Sequence, residues 1–515
     1  MTNDRVAGGS HTTQEDVFAI LLVATLGLVL RILFCNGLLG GDDTNYLIAS
    51  KQILFDHHLS TVHHHSSRLI LLVLVGLPGA LLGDIYASSL INIVYSLVTD
   101  LTVTAVVYSM LGSRAALLCA VVLMLNGVLM SYSGTLLPEP LLTLFAFLAV
   151  WTFQKAINEE GKAGLRLAAC AGVLCGLSYS AKDTGILVGP LLVAYLTLFH
   201  LRQFGIQRVF LQSACCFAGF ATTVLLECSA LWLLSGDFAY KYHAISLTHN
   251  GQVEAANGLV DFIRRGWWNL SQVFQEPLAL GVPAVAFLAA WISCLVRHSA
   301  VRIYAFVGLG LSIYLVFGTS SFTRLVNLPF QERYATLILP FGAICLAACT
   351  RALLTRERRG TYATALIAVV CLWAGLVVSA ERAGTLYHTE SLRNAVAAAS
   401  SVPEEHGRIA TPAFLCLQLR STTPAILADR LECLPKEALR VPDGLQALLL
   451  PSGGAMQSVD VISRSGKPPE NEGWVLYSVH HASQKNIDRL LGVGAKVGIA
   501  GANLYIRQQS PDHPD

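Results

Sequence analysis

The residues with chemistry to offer sit in short polar stretches between long apolar runs. Gly41-Asp42-Asp43-Thr44-Asn45-Tyr46 follows the first such run and sets two carboxylates side by side next to an expected membrane span. Glu139 stands between Pro138 and Pro140 at the mouth of a later span, where proline fixes the direction of the chain. Ser180-Ala181-Lys182-Asp183-Thr184 joins two apolar runs with almost no linker, and Gln331-Glu332-Arg333-Tyr334 directly precedes another. A carboxylate held at a membrane boundary can take a proton from a hydroxyl group. Arg68, Arg324 and Arg333 can meet a phosphate through forked donors, and Lys182 can do so as a point charge.

Each group also has a plainer reading. Asp42 or Asp43 could simply cap a helix, since a carboxylate is favoured where backbone N–H groups are free; capping needs only one of the two. Glu139 could snorkel to the surface. Turned towards lipid at mid-membrane it would cost about 2.5–3.5 kcal/mol, which favours a place facing a protein cavity. Lys182 and Asp183 could neutralise one another. His57, His58, His63, His64 and His65 put five histidines into nine residues. They could bind a divalent metal through His64 and His65, lie along an anionic phosphate surface, or form a solvated loop. Neighbours in an extended run point to opposite sides, so the triplet does not easily serve one ion. Asp100 and Glu227 fall inside expected spans and read as structural partners or cavity linings.

The elements that must position these groups are membrane helices. Of 515 residues, 54% are hydrophobic and 13% charged, against about 25% charged in soluble domains; mean hydropathy is +0.56. Several apolar runs reach the ~20 residues that cross the hydrocarbon. Eleven spans are expected, at 17–36, 85–110, 115–133, 137–155, 165–181, 184–200, 208–235, 278–297, 302–319, 334–351 and 361–381. Leu69–Leu82 is apolar but short, and is expected to stay on the outer face. From Asp43 onward Tyr46, Leu47, Ser50, Ile53 and Leu54 recur at helical spacing, as in an amphipathic helix lying in the interface.

Residues 1–16 lack the basic start and cleavage site of a signal peptide and are expected to be a cytoplasmic tail. Short loops rich in Lys and Arg then fall inside, and the long loops 37–84 and 235–277 fall outside. Net charge is +2 without a basic stripe, so no nucleic-acid partner is expected. After the membrane part, 17–381, residues 382–515 alternate short strand-like and helix-like segments, as a small α/β domain on the outer side. Its strands are expected at 408–410, 425–428, 447–450, 474–479, 496–500 and 503–507. Of thirteen cysteines only Cys416 and Cys433 lie in a polar region, where an oxidising compartment would let them pair.

These motifs, in this order, resemble the GT-C class of membrane glycosyltransferases. The similarity is to family 39 and the bacterial group of lipid A aminoarabinose transferases and rhizobial galacturonosyltransferases. Gly41-Asp42-Asp43-Thr44-Asn45-Tyr46 matches the acidic motif after the first span, and Leu137-Pro138-Glu139-Pro140 the acidic site of the second outer loop. Gly176 to Thr184 approaches the Gly-Leu…Lys-Glu-Thr pattern with Asp183 in place of Glu, and Arg333-Tyr334 matches an Arg-Tyr before a late span. A glutamate that some relatives carry late in the first loop is absent; Ser66 and Ser67 stand there.

The resemblance implies an all-α polytopic GT-C membrane protein with interfacial helices and a small C-terminal α/β domain. It implies a polyprenyl-monophosphate sugar as donor, with Asp42 as catalytic carboxylate and Asp43 and Glu139 beside it. Lys182, Arg333, Arg68 and Tyr334 would hold the donor phosphate, and Tyr46 the substrate. No cofactor is required, a divalent metal remaining an option, and the site would lie on the outer side of a bacterial cytoplasmic membrane. The competing classes are a lipid or sugar transporter, for which internal repeats and mid-membrane charges are expected, and a sensor or assembly protein.

Overall fold

In lipid a backbone must satisfy its own hydrogen bonds, so the apolar runs form helices. The computed structural model describes residues 10–35, 42–59, 64–82, 87–252, 256–319, 325–327, 331–354, 366–379, 395–402, 407–412, 416, 419, 429–434, 447–452, 474–481 and 501–507. Among these, seven helices are long and apolar enough to cross a membrane. The protein is a multi-pass membrane protein, and large apolar side chains such as Phe18, Phe210 and Leu233 point outwards, as a lipid-facing surface requires.

The eleven expected runs are all helical, with three adjustments. Runs 184–200 and 208–235 form one long helical stretch, 183–235, in which Gly205 takes φ +74° and kinks the chain. The run 115–133 is broken: helix Ser113–Met124 stops, and Asn126 caps Gly127–Tyr132 through the N–H groups of Val128 and Leu129. Ser113–Met124, Leu339–Arg351 and Leu366–Ser379 are apolar but shorter than a full crossing, as is Leu69–Leu82. The first helix begins at Ser10 rather than 17.

Helix Gly161–Ala181 packs closely on the long stretch, where a Cβ on Gly172 would meet the Cys216 carbonyl and one on Gly219 that of Ala169. Arg31 and Asp100 make a fully buried ion pair between the first long helix and Ala87–Leu111. Asp100 thus has a structural partner.

Two further helices lie at the polar ends. Asp42–Lys51, continued by a wider turn Gln52–Asp56, buries Tyr46, Leu47 and Ser50 and exposes Asn45, as its periodicity predicts. Leu259–Gln275 exposes Trp267 and Trp268 beside Arg264, the composition of a helix lying in the membrane interface.

The expected boundary at 381/382 lies outside the described residues. Beyond it, strands β1 (Ile409–Pro412), β2 (Leu431–Leu434), β3 (Ala447–Ser452), β4 (Trp474–His481) and β5 (Gly501–Arg507) form one sheet in the order β2-β1-β3-β5-β4. β2, β1 and β3 are parallel, and β5 pairs antiparallel with both β3 and β4. Expected strands at 425–428 and 496–500 lie outside the described residues, and β2 was not foreseen. Cys416 and Cys433 form a disulfide, with Cα atoms 5.3 Å apart.

Candidate active site

Helix ends converge to make the site. Asp42 opens helix Asp42–Lys51, Glu139 opens Glu139–Asn158, and Lys182 directly follows Gly161–Ala181. Arg333 and Tyr334 lie on a single tight turn of helix, Glu332–Leu337, just before Leu339–Leu354. Asp42 and Glu139 each enjoy the free N–H groups and positive end of a helix.

Arg333 links the two carboxylates. Its Nη2 donates to Oδ2 of Asp42 at 2.8 Å, and its Nε lies 3.8 Å from Oε1 of Glu139. Lys182 donates from Nζ to the same Glu139 oxygen at 2.6 Å, and its ammonium sits 3.8 Å from the centroid of the Tyr334 ring. Nε2 of His65 lies 3.0 Å from Oδ1 of Asp42. The His65 ring meets Tyr46 edge-on at 4.9 Å, and the Arg68 guanidinium lies 5.5 Å over Tyr46. Asp42, Tyr46, His65, Arg68, Glu139, Lys182, Arg333 and Tyr334 are thus contiguous.

Accessibility separates the members. The Asp42 side chain is 36% exposed, whereas Glu139 and Lys182 are 2% and 8% exposed. Asp43 is buried at 1%. Of the acidic pair, only Asp42 is open to a reacting partner; Asp43 is turned into the protein.

Burial works against the Asp42 charge, but the hydrogen bond and charge of His65, with those of Arg333, outweigh it and hold the carboxyl far below the ordinary range. Burial likewise disfavours charge on Arg333, and Glu139 and Asp42 reverse this, keeping the guanidinium firmly protonated.

His64 and His65 stack at 3.7 Å, but His65 faces Asp42. Among the described residues no three His, Cys, Asp or Glu side chains gather to hold a metal ion, so the described groups do not fit a divalent site. His57 and His58 are exposed; His63 and Arg324 lie outside the described residues.

Lys182 pairs with Glu139 rather than with its neighbour Asp183. Asp183 lies 4.0 Å from Lys241, which donates to both oxygens of Glu227. Glu227 therefore has a structural partner. Lys241 and Tyr240 escaped sequence reasoning; the only signal was a lysine in an outer loop with few charges.

Beside Arg333 and Tyr334 an apolar cavity of about 230 Å³ opens between helices, lined by Leu270, Phe274, Phe287, Ile313, Ala335 and Ile338 among others. A cationic cluster next to an apolar cavity is a place for an anionic head joined to an apolar chain.

No family model and no curated protein matches this sequence. Solved structures do. ArnT from Cupriavidus metallidurans in its apo state superposes with a TM-score of 0.58 at 12% identity, covering 94% of this chain and 97% of that one. The same protein bound to undecaprenyl phosphate gives 0.56 at 11% identity over 96% and 99%. The Archaeoglobus fulgidus oligosaccharyltransferase, complexed with Zn and sulfate, gives 0.54 at 14% identity over 84% of this chain and 67% of that one. The chain has the GT-C fold.

Proposed function

Starting from the GT-C fold and the cluster it carries, we propose that this protein is an inverting glycosyltransferase. It moves a hexosyl or pentosyl residue from a polyprenyl-monophosphate donor to an acceptor hydroxyl, on a glycolipid, polysaccharide or protein, at the outer face of the cytoplasmic membrane. One observation carries this reading. Residues from four separate segments put an accessible carboxylate, Asp42, within 2.8 Å of a guanidinium that also serves the Glu139–Lys182 pair, beside an apolar cavity.

The donor's tail occupies the apolar side and its phosphate meets Arg333 and Lys182, with Arg68 behind Tyr46. The acceptor hydroxyl gives its proton to Asp42 as its oxygen bonds to the anomeric carbon. The bond from that carbon to the phosphate oxygen breaks, and its electron pair leaves with the polyprenyl phosphate. Fixed cations stabilise that charge without reorganising, so the reading requires no metal ion. Attack opposite the leaving group inverts the anomeric centre. Glu139 is too buried to meet an acceptor and holds Lys182 and Arg333 in place.

Arg333 is already engaged by Asp42, so an arriving phosphate competes for it. Donor binding thereby loosens the hold on Asp42 and makes the carboxylate a better base. ArnT has been solved with undecaprenyl phosphate, which supports a carrier of that class here. The Cys416–Cys433 disulfide supports an oxidising, outer side for the C-terminal domain.

The test is purified protein incubated with a panel of undecaprenyl-phosphate sugars and candidate acceptors, followed by the anomeric configuration of the product. Transfer with inversion is expected. Retention, or movement of lipid across a vesicle bilayer without transfer, would overturn the reading, the latter in favour of a transporter.

A further inference from the structure

The long helical stretch ends at Ser235, the chain turns, and helix Tyr240–Gln252 begins. The Asp237 carboxylate steadies the turn by accepting from the Ala239 N–H at 2.8 Å. The first two residues of the new helix are both buried, Tyr240 at 1% and Lys241 at 4% exposure. Burial of a lysine in a loop helix calls for a specific partner.

Tyr240 reaches one side of the site. Its hydroxyl lies 2.6 Å from Oγ of Ser66, in the turn His64–Ser67. That turn is closed by Ser67 N–H and Oγ on the His64 carbonyl and by Arg68 N–H on that of His65. It presents His65 to Asp42 and Arg68 to Tyr46. A second tie, Leu59 N–H to the Leu234 carbonyl at 2.8 Å, anchors the same loop to the end of the long stretch.

Lys241 reaches the other side. Its ammonium donates to Glu227 at 3.1 and 3.2 Å and to the Tyr179 carbonyl at 3.0 Å, and lies 3.9 Å from the Tyr179 ring. Ser180 Oγ donates to Glu227 at 2.6 Å, and Asp183 stands 4.0 Å from Lys241. These contacts bracket Lys182, which they leave facing Glu139.

We propose that Tyr240 and Lys241 are positioning residues, two adjacent side chains that clasp the carboxylate half and the cation half of the site into register. Neither touches Asp42, Glu139, Lys182 or Arg333; each acts through the turn that carries one of them. This role rests on the transferase reading, but the clasp itself is a claim about two turns and can be tested apart from it.

The experiment compares full-length wild type, Tyr240→Phe and the double variant Lys241→Met/Glu227→Gln in detergent. The double variant avoids stranding Glu227 as an unpaired buried charge, and Tyr240→Phe removes one oxygen only. Amide exchange should rise at residues 64–68 in Tyr240→Phe and at 179–183 in the double variant, each leaving the other turn unchanged. Undecaprenyl phosphate is the binding probe. The double variant should bind it about 10-fold more weakly, with no further loss when Lys182→Met is added, because the two changes act on one interaction.

Unchanged exchange in both variants overturns the clasp. Raised exchange with wild-type affinity, or fully additive losses, overturns the positioning role. If wild type does not bind undecaprenyl phosphate while the exchange changes appear, the clasp stands and the transferase reading is what fails.

Discussion

Arg333 donates to Asp42 at 2.8 Å across 291 residues of sequence. A base so tied is weak until something takes the guanidinium away. The proposed donor brings a phosphate that can do so, and the predictions follow from who holds Arg333.

The first concerns pH. Asp42 is held below its ordinary value chiefly because His65 and Arg333 outweigh the burial that raises it. The kcat/KM profile of wild type should therefore show no acid limb from Asp42 above about pH 4. Removing Arg333 leaves burial less opposed, so in Arg333→Met the acid limb should move to higher pH. By linkage, a depressed carboxylate contributes stability above its unfolded pKa that is lost as pH falls through the folded one. Thermal unfolding of wild type should thus lose this contribution only on acidification below about pH 4.

A second concerns the buried pair. Glu139→Gln leaves the Lys182 ammonium, 8% exposed, without its counter-charge. Breaking a buried pair from one side costs about 3–5 kcal/mol. Glu139→Gln/Lys182→Met should recover much of that loss in denaturation while remaining poorly active. Equal stability of the single and double variants would contradict the pairing.

The apolar cavity supplies a third. Ala335 lines it two residues after Arg333 and is 7% exposed. Ala335→Trp fills space that the donor tail is argued to use. KM for an undecaprenyl donor should rise about 10-fold, on the scale of a few lost methylene contacts, and much less for a donor with a short, water-soluble chain. Equal effects on both would place the tail elsewhere.

Sequence periodicity carried the helices because lipid enforces internal hydrogen bonding, and every expected run is helical. It did not carry where a run breaks. Asn126 sits in an unbroken apolar stretch, yet its side chain caps a new helix. Gly205 passes for a loop glycine between two spans, and the structure uses its positive φ to kink one continuous stretch. Pairing was less legible than position. Polar residues at span ends identify Glu139 and Lys182 as candidates, but only three dimensions show Lys182 choosing Glu139, 43 residues away, over adjacent Asp183. His65 looked like a metal ligand because clustered histidines carry that association; a tight turn instead lays it against Asp42. Tyr240 and Ser66 are 174 residues apart, a separation no local pattern bridges. Strand β2 was missed because Leu431-Glu432-Cys433-Leu434 is too short to show alternation.

The most direct measurement compares wild type and Asp42→Asn with whichever undecaprenyl-phosphate sugar proves to be a donor, recording kcat and donor affinity together. The amide keeps the shape of the carboxylate and loses the base. The account predicts that kcat falls by about 10²–10⁴-fold while affinity for undecaprenyl phosphate stays the same or rises, because Arg333 is released to the phosphate. Undiminished kcat in Asp42→Asn would contradict it.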